Sequence, residues 1–146
     1  MSVASCAVSL LAWMVVASCS VAAAGAVVVP VPLRPEHGFH MQAADLAACI
    51  TPRSRLVLLN TPHNPTATVW TQEDLDRLAA LTRGTGIVVV ADEVYEHIVF
   101  DGATHASCAA HRELAARSFV VSSFGKTYHV TGWKVGYILA PRELMA

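Results

Sequence analysis

The sequence predicts an α/β domain with a mostly parallel sheet flanked by helices, and three observations carry that prediction. Apolar runs of strand length alternate along the chain with amphipathic stretches of helical period. One run, Ile87-Val-Val-Val-Ala91, is too uniformly apolar for a half-solvated strand and fits a central parallel strand covered on both faces. Finally, the unusual polar residues Asn64, Asp92 and Lys126 each fall just after a predicted strand, at the ends where sheets of this kind bind ligands.

Taken in order, residues 26–33 read as a short strand whose Pro30 and Pro32 suit an edge or a strand end. Residues 34–39 form a turn. Over residues 41–50 a short helix would place Met41, Leu46, Cys49 and Ile50 near one face. Residues 55–59 form the next strand, which stops at the turn cluster Asn60-Thr-Pro-His-Asn-Pro. Thr71 is an N-cap, followed by acids in the first turn, the apolar positions Leu75, Leu78, Ala79 and Leu81, and Gly84 near the helix end. The strand over 87–91 ends at Asp92, and another over 118–122 leads into Ser123-Phe-Gly-Lys126. A last strand covers 135–140, after which Pro141 opens a helix.

Composition narrows the function classes. At 146 residues the chain is long enough for one core and short for a two-domain enzyme, so it reads as one domain or a fragment. With 54% apolar and 14% charged residues it is too apolar to be disordered. A net charge of −1 offers no footprint for nucleic acid, and no such partner is expected. Cys6, Cys19, Cys49 and Cys108 are scattered without a C-x-x-C pair, and no metal-binding histidine motif occurs, so neither disulfides nor a metal site is expected. The first charged residue is Arg34. Residues 1–24 therefore superficially resemble a signal peptide, but no Lys or Arg precedes the apolar run, and Ser18-Cys19-Ser20 interrupts it. Export and membrane association are not expected, and the compartment expected is the cytoplasm. The resulting division is an uncharged apolar segment over 1–24 and a domain over 25–146.

Singly, Asn64 is an ordinary turn residue, Asp92 a helix cap and Lys126 a surface cation. Jointly, three motifs in this order and spacing say more: Asn60-Thr-Pro-His-Asn-Pro, Asp92-Glu-Val-Tyr-Glu-His and Ser123-Phe-Gly-Lys-Thr-Tyr-His-Val-Thr-Gly-Trp-Lys. They resemble the class I/II aminotransferases of the pyridoxal-phosphate-dependent aspartate aminotransferase superfamily, in wording most like the methionine and kynurenine branch. The resemblance covers residue 26 to the C-terminus and implies part of the family's large, cofactor-binding domain.

The resemblance also implies roles. Lys126 would form the Schiff base with pyridoxal phosphate and later move a proton between the substrate α-carbon and the cofactor, which requires a partly neutral amine. Asp92 would pair with the pyridine nitrogen and keep it protonated, so that the ring accepts electrons. Tyr95 and Asn64 would address the ring oxygen O3′. Ser123 and Lys134 match positions that bind the cofactor phosphate; Lys134, an arginine in many relatives, acts there as a point charge. Ala67 replaces the glycine of many relatives and disfavours the positive φ that glycine permits. Tyr128, His129 and Trp133 are expected to pack around the lysine loop, and His97 and His105 to be surface or packing residues.

Family members are longer, with a phosphate-gripping glycine turn, an aromatic residue on the pyridine ring and a small domain bearing a carboxylate-binding arginine; none is found in this sequence. A sheet without those parts would expose apolar faces and unpaired edges. The expected function is a piece of an aminotransferase, passing an amino group from methionine, kynurenine or an aromatic amino acid to a 2-oxo acid, in an assembly that is homodimeric in full-length relatives. The alternatives are a pyridoxal-phosphate-dependent cysteine-conjugate β-lyase and a catalytically silent cofactor-binding module.

Overall fold

The computed structural model describes residues 21–145, which fall into two compact units divided between Pro30 and Val31. In the first, a helical turn at residues 21–23 ends where Gly25 takes a left-handed φ of 80°. Gly25 N–H donates to the Ala22 carbonyl and Ala26 N–H to that of Val21, a Schellman stop that satisfies two terminal carbonyls. The sequence reading of residues 1–24 as an apolar segment lies mostly outside the described residues. Among the described residues no helix is long and apolar enough to cross a membrane. Residues 26–33 form no strand, contrary to the sequence expectation. Pro30 and Pro32 have no N–H to give a ladder, and Val27 is 87% exposed.

The second unit is built on a four-stranded sheet: β1 (Leu56–Asn60), β2 (Val88–Asp92), β3 (Ser118–Ser123) and β4 (Gly136–Leu139), adjacent in that order. The first three are parallel and β4 runs antiparallel to β3. Register pairs Asn60 with Asp92, Asp92 with Val121 and Ser123 with Gly136. Consequently the carboxyl ends of three strands and the start of the fourth share one edge of the sheet.

Helices α1 (Ala43–Cys49) and α2 (Gln72–Thr82) supply the core. The first is shorter than predicted because Gln42 and Ile50 take extended backbone at its two ends, although Met41 and Leu46 are buried as expected. Arg34 pairs with Asp45 in its first turn and ties the preceding 34–39 turn to it. The second opens with a capping box in which Asp74 N–H donates to Thr71 Oγ1 and Thr71 N–H to Asp74 Oδ2. Leu75, Leu78 and Ala79 then pack, with Met41, Leu46 and Trp70, on Leu59, Val89, Ala91 and Val120 of the sheet. Burying each such leucine contributes about 1.5–3 kcal/mol.

Both helices serve the same face, so the expectation that β2 is covered on both sides is corrected. Among the described residues the opposite face stays partly open: Leu56 and Leu58 are exposed, and Val88 and Val90 are only half-buried. Ile138 and Leu139 are exposed on β4, the other edge. The apolar faces and edges expected from a partial sheet are thus present. Pro141 leads into a short 3-10 turn, Arg142–Leu144, in place of the predicted helix.

Candidate active site at the carboxyl edge of the sheet

The loop after β1 is a closed unit held by the strand ends. Asn60 Nδ2 donates to the Asp92 carbonyl at 3.0 Å, while its Oδ1 accepts from Asn64 N–H at 2.8 Å. Thr61 N–H also donates to the Asp92 carbonyl. Within the loop, His63 N–H donates to the Thr68 carbonyl and Ala67 N–H to that of His63. His63 Nδ1 meets Thr66 Oγ1 at 2.7 Å, and burial pushes its pKa down. This framework presents Asn64, whose Nδ2 donates to the Tyr95 hydroxyl at 3.2 Å.

The loop requires the positive φ that Ala67 was expected to disfavour: Ala67 sits at φ 58°. An L-residue pays for a left-handed backbone with about 1 kcal/mol or more. Ala67→Gly is therefore expected to stabilise the chain by about 0.5–1 kcal/mol, read from the midpoint of urea unfolding.

Asp92 ends β2 and is 4% exposed. Burial pushes its carboxyl pKa up; the Val94 N–H donating to Oδ1 at 3.1 Å opposes this, and the neighbouring Glu93 charge adds to it. An acid raised in the folded state contributes stability below its ordinary pKa and loses it as pH rises through the folded value. Asp92→Asn retains the oxygen that accepts from Val94. It is thus expected to raise stability at pH 7 by on the order of 1 kcal/mol, and the gain should vanish below the ordinary carboxylate pKa of about 3.9. Denaturant unfolding at pH 7 and pH 3 checks both halves.

Glu93, the next residue, is fully buried. Its Oε1 accepts from Cys108 N–H at 2.9 Å and its Oε2 lies 2.8 Å from His105 Nε2. Its N–H donates to the Val121 carbonyl. Cys108 is buried beside it, which pushes the thiol pKa up to about 12. Tyr95 follows in a turn closed by Glu96 N–H donating to the Glu93 carbonyl and Ile98 N–H to that of Tyr95.

Lys126 stands on α3 (Phe124–Thr127), which starts directly from β3. Ser123 Oγ caps it by accepting from Gly125 N–H at 3.1 Å. Gly125 is needed for a close approach, since a Cβ there would come within 2.9 Å of Thr131 Cα. Lys126 Nζ lies 5.5 Å from the centroid of the Tyr95 ring. Lys134, at φ 55°, closes the 3-10 turn Thr131–Trp133 just before β4.

Of the six residues predicted from sequence, Asn64, Tyr95 and Lys126 are brought into direct proximity. Asp92 and Ser123 lie at the ends of the two adjacent strands beneath them, each engaged with local backbone. Lys134 is at the same edge with its side chain exposed. Tyr128 stacks on Phe124 at 5.9 Å between centroids but is 64% exposed, and Trp133 and His129 are exposed, so packing around the lysine describes them poorly. His97 is exposed; the His105 side chain is only 10% exposed and holds Glu93. Sequence reasoning missed Glu93 and Glu96. The available signal was an acid directly after a buried strand and a second one three residues later, at the spacing of a single turn.

A family model for aminotransferase class I and II matches residues 17–146. The chain belongs to this family. It is 50% identical over 127 residues to the methionine aminotransferase of Escherichia coli K12, covering 87% of this chain and 33% of that protein. The crystal structure of that Escherichia coli methionine aminotransferase, YbdL, superposes with a TM-score of 0.84 over the same shares of the two chains. Kynurenine–oxoglutarate transaminase 1 of Rattus norvegicus is 36% identical over 107 residues, 73% of this chain and 25% of that protein. The chain thus spans about a third or less of the length of these relatives. The family is one of pyridoxal-phosphate enzymes.

Proposed function

We propose that this chain forms the cofactor-holding and proton-transferring part of a pyridoxal-phosphate aminotransferase. The donor set at the sheet edge supports the fit: a buried carboxylate, a phenol hydrogen-bonded to a carboxamide, an amine beside them, and a hydroxyl and a cation nearby. Those groups complement a basic ring nitrogen, a ring oxygen, an aldehyde and a phosphate in turn. In this reading Asp92 holds the ring nitrogen, Asn64 and Tyr95 the ring oxygen, Ser123 and Lys134 the phosphate, and Lys126 the aldehyde carbon. When bound, the group supplies an electron sink for the carbanion left at the substrate α-carbon.

The rest is the work of the chain's own residues. Lys126 Nζ would take the α-proton from the substrate and return it to the aldehyde carbon of the cofactor, two atoms away from the α-carbon, so one amine would serve as base and then as acid. Asp92 keeps a proton on the ring nitrogen; its cramped, poorly solvated carboxyl gains when a cation comes to it. A hydroxyl that accepts, as Ser123 Oγ does from Gly125, retains its own proton for a phosphate oxygen. The substrates in this reading are an amino acid, such as methionine, kynurenine or an aromatic one, and a 2-oxo acid. The working assembly is a homodimer and the compartment the cytoplasm.

The observation that carries the proposal is the meeting of Asn64, Tyr95 and Lys126 over the buried end of β2. Its test is to add pyridoxal phosphate to the purified chain, reduce with borohydride and map the labelled peptide. A reducible visible band with the label on Lys126 is expected. A folded chain that gives no band, or one labelled elsewhere, overturns the assignment.

A further inference from the structure

Glu96 follows Tyr95, and its side chain is 17% exposed. One of its oxygens, Oε1, accepts from Ser122 Oγ at 2.6 Å and from the Tyr137 hydroxyl at 2.9 Å. The first distance is that of a charge-assisted O–H···O⁻ bond. Ser122 is buried on β3 immediately before Ser123, and Tyr137 is its register partner on β4. Tyr137 also packs against Phe124, the first residue of α3, at 5.5 Å between ring centroids.

A single carboxylate therefore joins three stretches of chain that each carry part of the site. The first is the turn with Asp92 and Tyr95, the second the end of β3 with Ser123 and Lys126, the third the start of β4 just after Lys134. The turn is fixed at its near end by β2 and by Glu93. Its far end is held by Glu96, and Tyr95 lies between the two anchors. Because β4 is an edge strand whose other residues are exposed, the half-buried Tyr137 has a second reason to need this partner.

We propose that Glu96 is a positioning residue of the site: by accepting from Ser122 and Tyr137 together, it sets the Tyr95 turn against the Lys126 and Lys134 segments. This rests on the cofactor reading above and deepens it, since it explains how ring-oxygen and phosphate contacts on separate segments keep one geometry. Two hydroxyl donors on one oxygen are held more strongly by a carboxylate than by a neutral acceptor. A glutamine oxygen would accept both bonds with less strength, and an alanine neither.

The test uses the whole chain and its Glu96→Ala, Glu96→Gln, Tyr137→Phe and Glu96→Ala/Tyr137→Phe forms. Without ligand, amide hydrogen exchange at residues 95–98 should rise about 10-fold in Glu96→Ala, with the amides of β1 and β2 within about twofold of the parent. With pyridoxal phosphate, the concentration that half-labels Lys126 under borohydride should rise about 10-fold in Glu96→Ala and about threefold in Tyr137→Phe. Glu96→Gln should recover to within about threefold, and the double form should match Glu96→Ala, because both changes break one clamp. Half-labelling in Glu96→Ala equal to the parent, or exchange rising equally through β1 and β2, overturns the proposal. If Glu96→Ala does not fold, Tyr137→Phe decides on the same two readings, and half-labelling in Tyr137→Phe equal to the parent overturns the proposal. A parent chain that takes no label at Lys126 overturns the cofactor reading instead, and the exchange pattern still decides the role of Glu96.

Discussion

Lys126→Ala is expected to abolish covalent capture of pyridoxal phosphate, with the borohydride-fixed label falling at least about 100-fold. The sequence makes the result unusually clean to read, because its lysines are Lys126 and Lys134 alone. Lys134 cannot take over the task by proximity: it stands on a separate turn with an exposed side chain, whereas Lys126 Nζ lies 5.5 Å from the Tyr95 ring. Lys134→Ala is the matching control. It removes a cation and leaves the amine, so label on Lys126 persists and the half-labelling concentration rises roughly 10-fold. A label that survives in Lys126→Ala on Lys134 or the chain terminus would show that the motif lysine is not the reactive amine. Asp92→Asn distinguishes the remaining step, since it is expected to leave capture in place while weakening proton transfer at the α-carbon. In a full-length form of the protein that appears as a loss of about 100-fold or more in turnover.

Much of this site was legible because its residues are anomalies of local pattern. Asn64 sits between prolines, Asp92 ends a run of valines, and Lys126 follows a strand and a glycine. Each falls where a parallel strand stops, and the register of β1, β2 and β3 brings those stops to one edge. The fold elements were legible for the same reason of period, except where a backbone donor was missing, as at Pro30 and Pro32. Uniform apolarity in β2 correctly predicts a central strand. It does not say which layer covers it, and among the described residues one face lacks a cover. What left no trace in the pattern is the support beneath the site. His105 holds Glu93 from 12 residues away in an irregular loop, and Tyr137 reaches Glu96 across 41. Contacts of that span follow from the tertiary fold, and no period or spacing announces them.

Glu93 is where that hidden support has its largest expected effect. Glu93→Leu fits an apolar side chain beside Cys108 but leaves the Cys108 N–H and His105 Nε2 without the acceptor they share, both in a water-poor site. His105 Nδ1 is already buried without a partner among the described residues, so the ring cannot turn its loss into another bond on that side. Leaving these two buried donors unsatisfied costs about 1–3 kcal/mol each, a fall of roughly 10 °C or more in Tm for a chain of this size. Glu93→Gln keeps an oxygen for Cys108 and should cost about 1–3 kcal/mol, and His105→Leu combined with Glu93→Leu should recover part of the loss. Full additivity of the two changes in urea unfolding would mean that the pair is not coupled. Because the backbone of Glu93 follows Asp92 directly and donates to Val121, the damage also reaches the site: stability and labelling of Lys126 should fall together. Asp92→Asn, one residue away, is expected to do the reverse, raising stability at neutral pH while impairing chemistry. Opposite signs at adjacent carboxylates would separate the residue that the fold needs from the residue that the fold tolerates for the sake of the proposed cofactor site.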